Sequence, residues 1–465
     1  KGTGKNAPRH RREAQDALTD AAAAIPCWVM TQAQVSESMP AQPGLFDLII
    51  VDEASQSTFN ALPVLMRGKK ILIVGDDKQV SPSFVGLSAE RVGELKSKFL
   101  AGQPRANAIA PDLSLYAIAK NIYPAQVELQ EHFRCHPAII EYSNRTYYKG
   151  LIKPLRISKA SERLDPPLVS IYVPDGARHK GRNSDINRAE AQAIIAEIRL
   201  LLDDPKFRGR SIGVVSLLGP AQAQYISEQA KNQLDVHELT QREFACGDAS
   251  AFQGAERDIM FLSMVATPED CHPLSRLDHQ QRLNVAASRA RERMYLVHSV
   301  QSSDLRPMDL RLGLLQQFSP SPVLAADTRD QLLAQCESGF ERDVMGCLLD
   351  RGYTVQPQVW AGQFRLDMVV EGAADARLAI ECDGDAFHGP DQWDADLKRQ
   401  RALERAGWTF WRCFASAWTL RREEVLNDLL QTLANMGIEP LFAQASSNPL
   451  VVQKVWQPPA PALSS

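Results

Sequence analysis

Residues 45–53 read LFDLIIVDE, an apolar run broken only by Asp47 and closing on two adjacent acids. Similar short runs recur at 71–76 (ILIVGD), 211–216 (SIGVVS), 258–263 (DIMFLS) and 294–297 (MYLV). Apolar runs of this length without period-two alternation predict strands buried on both faces, as in a parallel sheet covered by helices. The stretch 187–202 supplies a helical period, with Asn187 as its N-cap. In such α/β sheets ligands gather at the carboxyl ends of strands. The acids that end 45–53 and 71–76 are expected there.

Size and composition narrow the class. A chain of 465 residues has room for two to four domains. With 44% hydrophobic and 23% charged residues it is neither a disordered, a collagen-like nor a coiled-coil chain. No apolar stretch approaches the ~20 residues of a membrane span. A formal charge of −4 excludes a uniformly basic coat but not a local basic channel. Eight cysteines without a CxxC pair fit neither a zinc site nor a disulfide framework, so a reducing cytoplasm is expected. The chain opens on Lys1-Gly2-Thr3-Gly4-Lys5, without Met or an apolar leader, and reads as a piece of something longer.

A connector with Pro307, Pro320 and Pro322 precedes a third unit. There the order is a helix near 339–350, strands at 364–370 and 377–382, a charged helix near 391–406, a strand at 409–414 and a helix near 423–436. The tail 446–465, rich in Ser and Pro, is predicted to be disordered. The expected division is 1–120, 121–305, a linker 306–335, 336–438 and a disordered 439–465.

Asp52-Glu53 is the first chemical signal. Two buried acids without a cation are costly, and a Mg²⁺-bearing triphosphate would supply one; a solvated acidic loop is the plainer alternative. Four further segments follow in order: Gly75–Pro82 (GDDKQVSP), Gln130–Pro137 (QEHFRCHP), Ala251–Asp258 (AFQGAERD) and Arg282–Arg291 (RLNVAASRAR). Together the five resemble motifs II to VI of superfamily 1 helicases, in the branch of the nonsense-mediated-decay RNA helicase and related DNA helicases. The resemblance implies a partial first RecA-like lobe and a complete second one, both with parallel sheets. It also implies ATP and Mg²⁺ as cofactors. Asp52 would bind Mg²⁺, Glu53 would activate water and Gln79 would sense the γ-phosphate. Arg134 and Arg289 would reach that phosphate from the second lobe, while Gly254 and Glu256 would line the nucleotide. The phosphate loop that the family needs, G-x-x-x-x-G-K-[ST], is not matched. Residues Lys1–Asn6 imitate its end, but Asn6 stands where Ser or Thr belongs. The first lobe is therefore expected to be incomplete, and this chain alone is expected not to hydrolyse ATP.

The third unit carries Glu341, Asp367 and the run Glu381–His388 (ECDGDAFH). Asp367 and Glu381 fall on neighbouring strands, where two carboxylates can share one Mg²⁺. The pattern resembles the α/β PD-(D/E)XK restriction-endonuclease fold, in the branch of very-short-patch repair endonucleases. Asp396, Arg399, Leu403, Gly407 and Trp408 continue that pattern. The resemblance implies Asp367 and Glu381 as metal ligands and nucleic acid, specifically DNA, as substrate. It departs at Asp383, where the fold usually has Lys; His388 is the candidate for the missing function, against a purely structural histidine. Two readings remain open at this point, an active nuclease and a silent DNA clamp, and motifs II to VI do not separate DNA from RNA motors. No membrane role is expected, and protein partners are not legible.

Overall fold

The computed structural model describes residues 7–22, 24–81, 89–106, 109–110, 113–156, 163–181, 184–319, 329–361, 364–372, 376–384, 397, 399–401, 403–405, 407–440 and 450–458. The chain divides into two compact units, 1–128 and 129–465.

In the first unit, β1 (Phe46–Val51) and β2 (Gly68–Ile73) pair in parallel from Phe46↔Gly68 to Val51↔Ile73. Val51, Ala54, Ala61 and Leu115 form a small core beside them. Gly75 just beyond β2 is obligatory: a Cβ there would stand 2.9 Å from the Tyr116 ring and 3.0 Å from the Ser55 amide nitrogen.

The second unit contains β3 (Leu168–Tyr172), β4 (Ile212–Ser216), β5 (Ala245–Asp248), β6 (Arg257–Ser263) and β7 (Ala290–His298). All are parallel, in the order β3-β7-β6-β4-β5. In this sheet the apolar runs are buried as their pattern demands, and Phe261 on β6 stacks on Tyr295 of β7 at 4.3 Å. Those of β1 and β2 are not buried on both faces as predicted, because only a small core packs beside the two-stranded pair and Leu48, Ile50 and Leu72 stand about half exposed. The helix Arg188–Asp203 presents Ala191, Ile194, Ile198 and Leu201 to this core, and Asn187 caps it by accepting from the Glu190 amide.

The same unit continues into a four-stranded sheet in the order β8 (Thr354–Ala361), β9 (Phe364–Glu371), β10 (Arg377–Asp383), β11 (Thr409–Phe414). β8/β9 and β9/β10 are antiparallel and β10/β11 parallel. The helices Gly339–Leu349 and Arg422–Asn435 cover it through Val344, Leu348, Leu429 and Leu433.

Three expectations are corrected here. β8 is an additional strand, hidden in sequence because Gln356-Pro357-Gln358 breaks its apolar pattern. The linker 306–335 is not featureless: the helix Leu310–Gln317 buries Leu314 and Leu315, and Tyr142 Oη donates to the Leu310 carbonyl at 3.1 Å. The helix Arg329–Gln335 packs Leu332 and Leu333 into the smaller sheet's core. Finally, the tail is not wholly disordered: β12 (Val451–Val455) pairs in parallel with the outer edge of β3. A Pro/Ser-rich average conceals this β-branched run, which finds an open parallel edge. Lys454 is anchored to Glu197 at 2.6 Å and Trp456 packs against the large core.

Candidate functional site

At the carboxyl end of β1 the chain turns sharply, with Glu53 in the left-handed region at φ 50°. Asp52 Oδ1 accepts from the Glu53 amide at 2.8 Å, and Glu53 Oε2 accepts from Gln56 Nε2 at 3.2 Å. Beyond the adjoining end of β2, Gln79 Nε2 donates to Asp76 Oδ2 at 3.1 Å. Since β1 and β2 are parallel neighbours, Asp52, Glu53 and Gln79 follow strand ends on one edge of the sheet. Pro82 lies outside the described residues.

In the second unit the three separate segments interlock. Arg134 Nε lies 2.5 Å from Glu256 Oε2, and Arg291 Nε lies 3.1 Å from Glu256 Oε1. Cys135 Sγ donates to the Ser288 carbonyl at 3.3 Å, and the His136 amide donates to the Arg291 carbonyl at 2.8 Å. Arg289 is buried beside them, its carbonyl accepting from the Arg257 amide at 3.1 Å. Gly254, at φ 79°, makes the turn into β6 that a side chain would strain. Burial pushes His132 down to about 4, helped by the Arg134 charge. His132 is therefore neutral at pH 7, and its Nε2 accepts from the Cys135 amide at 3.0 Å.

In the smaller sheet, the register Met368↔Ile380 sets Asp367 opposite Glu381 one step further on. Asp367 Oδ2 accepts from the Cys382 amide at 2.7 Å, and Glu381 Oε1 accepts from Arg399 Nη2 at 2.8 Å. Burial pushes Glu381 from 4.5 up to about 7 despite Arg399. Burial, together with the nearby Glu341 charge, also raises Asp367 against the pull of the Cys382 amide. Asp383 is occupied otherwise: both its oxygens accept from Arg412 of β11, each at 3.0 Å. His388 lies outside the described residues, as do most of those leading into the charged helix.

Among the described residues no three His, Cys, Asp or Glu side chains form a ready cation cage. The donor set nevertheless fits Mg²⁺, which typically takes one or two carboxylates and keeps several waters. Asp367 and Glu381 are hard oxygen donors whose crowded, partly desolvated like charges favour protonation, and a divalent cation relieves that repulsion.

Residues 113–301 match the family model described as an AAA domain. Residues 340–433 match the family model REase_MTES_1575. The chain joins a superfamily 1 helicase fold to a restriction-endonuclease-like domain. It is 24% identical over 445 residues to the uncharacterized ATP-dependent helicase MG140 homolog of Mycoplasma pneumoniae, covering 88% of this chain and 39% of that protein. It is 29% identical over 266 residues to the 5'-3' DNA helicase ZGRF1 of Mus musculus, covering 55% and 13%. With the probable helicase senataxin of Homo sapiens it shares 24% over 328 residues, covering 68% and 11%. The chain thus spans well under half the length of each of these relatives.

Sequence reasoning missed two participants in these clusters. Arg291 was visible within its motif, but its grip on Glu256 emerges only from the fold. Arg412 sits beside Glu381 in the β10/β11 register, a pairing of residues 31 apart that no local spacing announces. Trp408, Trp411 and Trp418 are buried core residues, in keeping with a scaffold role.

Proposed function

We propose that this chain is part of an ATP-dependent DNA translocase whose attached domain is a Mg²⁺-dependent endonuclease. The observation that carries this reading is the pair Asp367, half-buried, and Glu381, buried, on neighbouring strands and held at raised proton affinity. Asp367 and Glu381 would hold Mg²⁺, while Arg399 keeps the Glu381 carboxylate oriented by donating to one oxygen. Bound there, Mg²⁺ would supply an acidified water and positive charge against the leaving oxygen of a phosphodiester. In the motor, Asp52 binds the Mg²⁺ of ATP, Glu53 orients water and Gln79 reads the γ-phosphate. Arg134 and Arg289 supply guanidinium charge, and Gly254 and Glu256 shape the nucleotide's surroundings. His388 serves the cleavage step. That none of the eight cysteines forms a disulfide supports placement in a reducing cytoplasm. No described helix is long and apolar enough to cross a membrane.

One observation favours a second reading. Asp383 replaces the usual Lys and is itself neutralised by Arg412, so the domain binds DNA without cutting it. The test is Mg²⁺-dependent cleavage of DNA by the chain and by Glu381→Ala. The nuclease reading expects cleavage that falls at least about 10²-fold in the variant. DNA binding with no cleavage by either decides for the clamp. Single-stranded DNA and RNA compared in the same binding assay distinguish a DNA from an RNA motor.

A further inference from the structure

β8 carries a conformational outlier beside the acids. Gln358 has φ 50°, a left-handed backbone that few non-glycine residues adopt. It falls between the paired positions Pro357↔Met368 and Val359↔Leu366, which sets it opposite Asp367. A strained residue within an otherwise regular ladder persists only where its surroundings hold it, and such outliers cluster at functional sites. The side chain shows what is held. Gln358 Nε2 donates to Glu341 Oε2 at 2.7 Å. Glu341 is buried; its Oε2 also accepts from the Glu337 amide at 3.0 Å and its Oε1 from Ser338 Oγ at 2.8 Å. Three donors therefore fix the orientation of this carboxylate. The other end of the same amide, Gln358 Oε1, is buried with no hydrogen-bond partner among the described residues. A buried acceptor without a donor is costly. Here it lies on an amide that already contacts one acid and stands across the ladder from another.

We propose that Gln358 is a positioning residue of the endonuclease site: its Nε2 fixes Glu341 beside Asp367, and its Oε1 accepts from the hydration shell of the Mg²⁺ that Asp367 and Glu381 hold. The left-handed backbone is what points a β8 amide toward the helix Gly339–Leu349. Glycine at this position would satisfy the backbone but forfeit both contacts. This inference rests on the nuclease reading above.

The experiment is calorimetric Mg²⁺ titration of the full chain, with thermal melting in parallel. Asp367→Asn defines which binding component belongs to this site. Gln358→Gly is expected to melt close to wild type, because glycine suits the left-handed backbone. Its Mg²⁺ affinity in the Asp367-dependent component is expected to fall about 10- to 100-fold, the usual effect of removing an outer-shell partner. Because Gln358 acts largely through Glu341, adding Gln358→Gly to Glu341→Gln is expected to cost less than the two single effects combined. Mg²⁺ binding by Gln358→Gly within about twofold of wild type overturns the inference and leaves the nuclease reading standing. Full additivity of the two substitutions refutes action through Glu341 and overturns it equally. A wild-type titration with no component that Asp367→Asn removes sinks the nuclease reading, and this inference with it.

Discussion

Two clusters in the second unit use the same chemical parts in opposite proportion. Beside β6 and β7, Arg134, Arg289 and Arg291 gather around Glu256 and Asp258, an excess of one positive charge. Beside β9 and β10, Glu341, Asp367, Glu381 and Asp383 face Arg399 and Arg412, an excess of two negative charges. Glu256 and its two arginines are 34–41% exposed, whereas the Glu381 side chain is 6% exposed. An open, arginine-rich cluster suits phosphate oxygens; a buried, acid-rich one suits a divalent cation. The lesson is that an acid after an apolar strand announces a functional edge without announcing its sign. The residues packed around that acid decide what it attracts.

The largest effect expected from this contrast is on stability against pH. Burial raises both Glu381 and the fully buried Glu190 from 4.5 to about 7. Between these values the folded chain keeps protons that the unfolded chain has lost. Their contribution is therefore fully present below about pH 4.5 and is lost as pH rises through about 7. Denaturant unfolding should show a fall of roughly 3 kcal/mol for each of the two groups over that window. Mg²⁺ should reverse Glu381's share alone, and its affinity should rise with pH as Glu381 deprotonates. Glu190, capped by Asn187, Ser263 and Ser299, is insulated from the site, so Glu190→Gln should flatten the slope without altering the Mg²⁺ response.

A smaller effect sharpens the comparison at matched ion pairs. Arg399→Ala leaves Glu381 buried without its cation and should cost about 1–3 kcal/mol at pH 8, allowing for partial exposure of the guanidinium. At pH 5 the same substitution should cost under ~1 kcal/mol, because Glu381 is then neutral. Arg134→Ala, which removes an open pair, should cost under ~1 kcal/mol at both pH values. Urea midpoints for both variants at both pH values check this. Equal costs would mean that burial does not distinguish the two clusters.

Much of this architecture was legible because sheet strands of this kind read as continuous apolar runs, buried in the large sheet though half-exposed in β1, and those runs place Asp52, Glu53 and Glu381 at their ends. Asn187 was readable as a cap because the side-chain-to-backbone bond is local. What escaped depended on non-local pairing. Leu168–Tyr172 is only five residues long, with Ser170 inside it. β8 carries a proline and a left-handed glutamine. Arg412 acquires meaning only when β11 is laid beside β10. β12 lies beyond the endonuclease-like domain, 283 residues after the start of the strand it pairs with; window-averaged composition cannot find such a partner.

That returning strand yields the smallest and most local prediction. The sheet behind the arginine-rich cluster is completed by residues that follow the acid-rich domain, so the domain is joined to this lobe by chain on both sides. The ladder's phase is set by its ends: the Leu168 amide donates to the Leu450 carbonyl at 3.2 Å, and the Trp456 amide donates to the Tyr172 carbonyl at 2.9 Å. In a parallel pair such bonds alternate along the strand, so the amides of Val452 and Lys454 face β3 while that of Val451 faces away. Val452→Pro removes a ladder donor and should destabilise the lobe by about 1–3 kcal/mol. Val451→Pro removes none, and proline is tolerated on the open side of an edge strand, so its cost should stay under ~1 kcal/mol. The difference between the two variants, read by hydrogen exchange at β3 with exchange at β9 and β10 as control, isolates the ladder from loss of the valine side chain. Equal protection of β3 in both variants would show that β12 is held by its side chains alone. Loss of protection at β10 as well would show that the strand stabilises both clusters together, and that the two opposite charges share one cooperative unit.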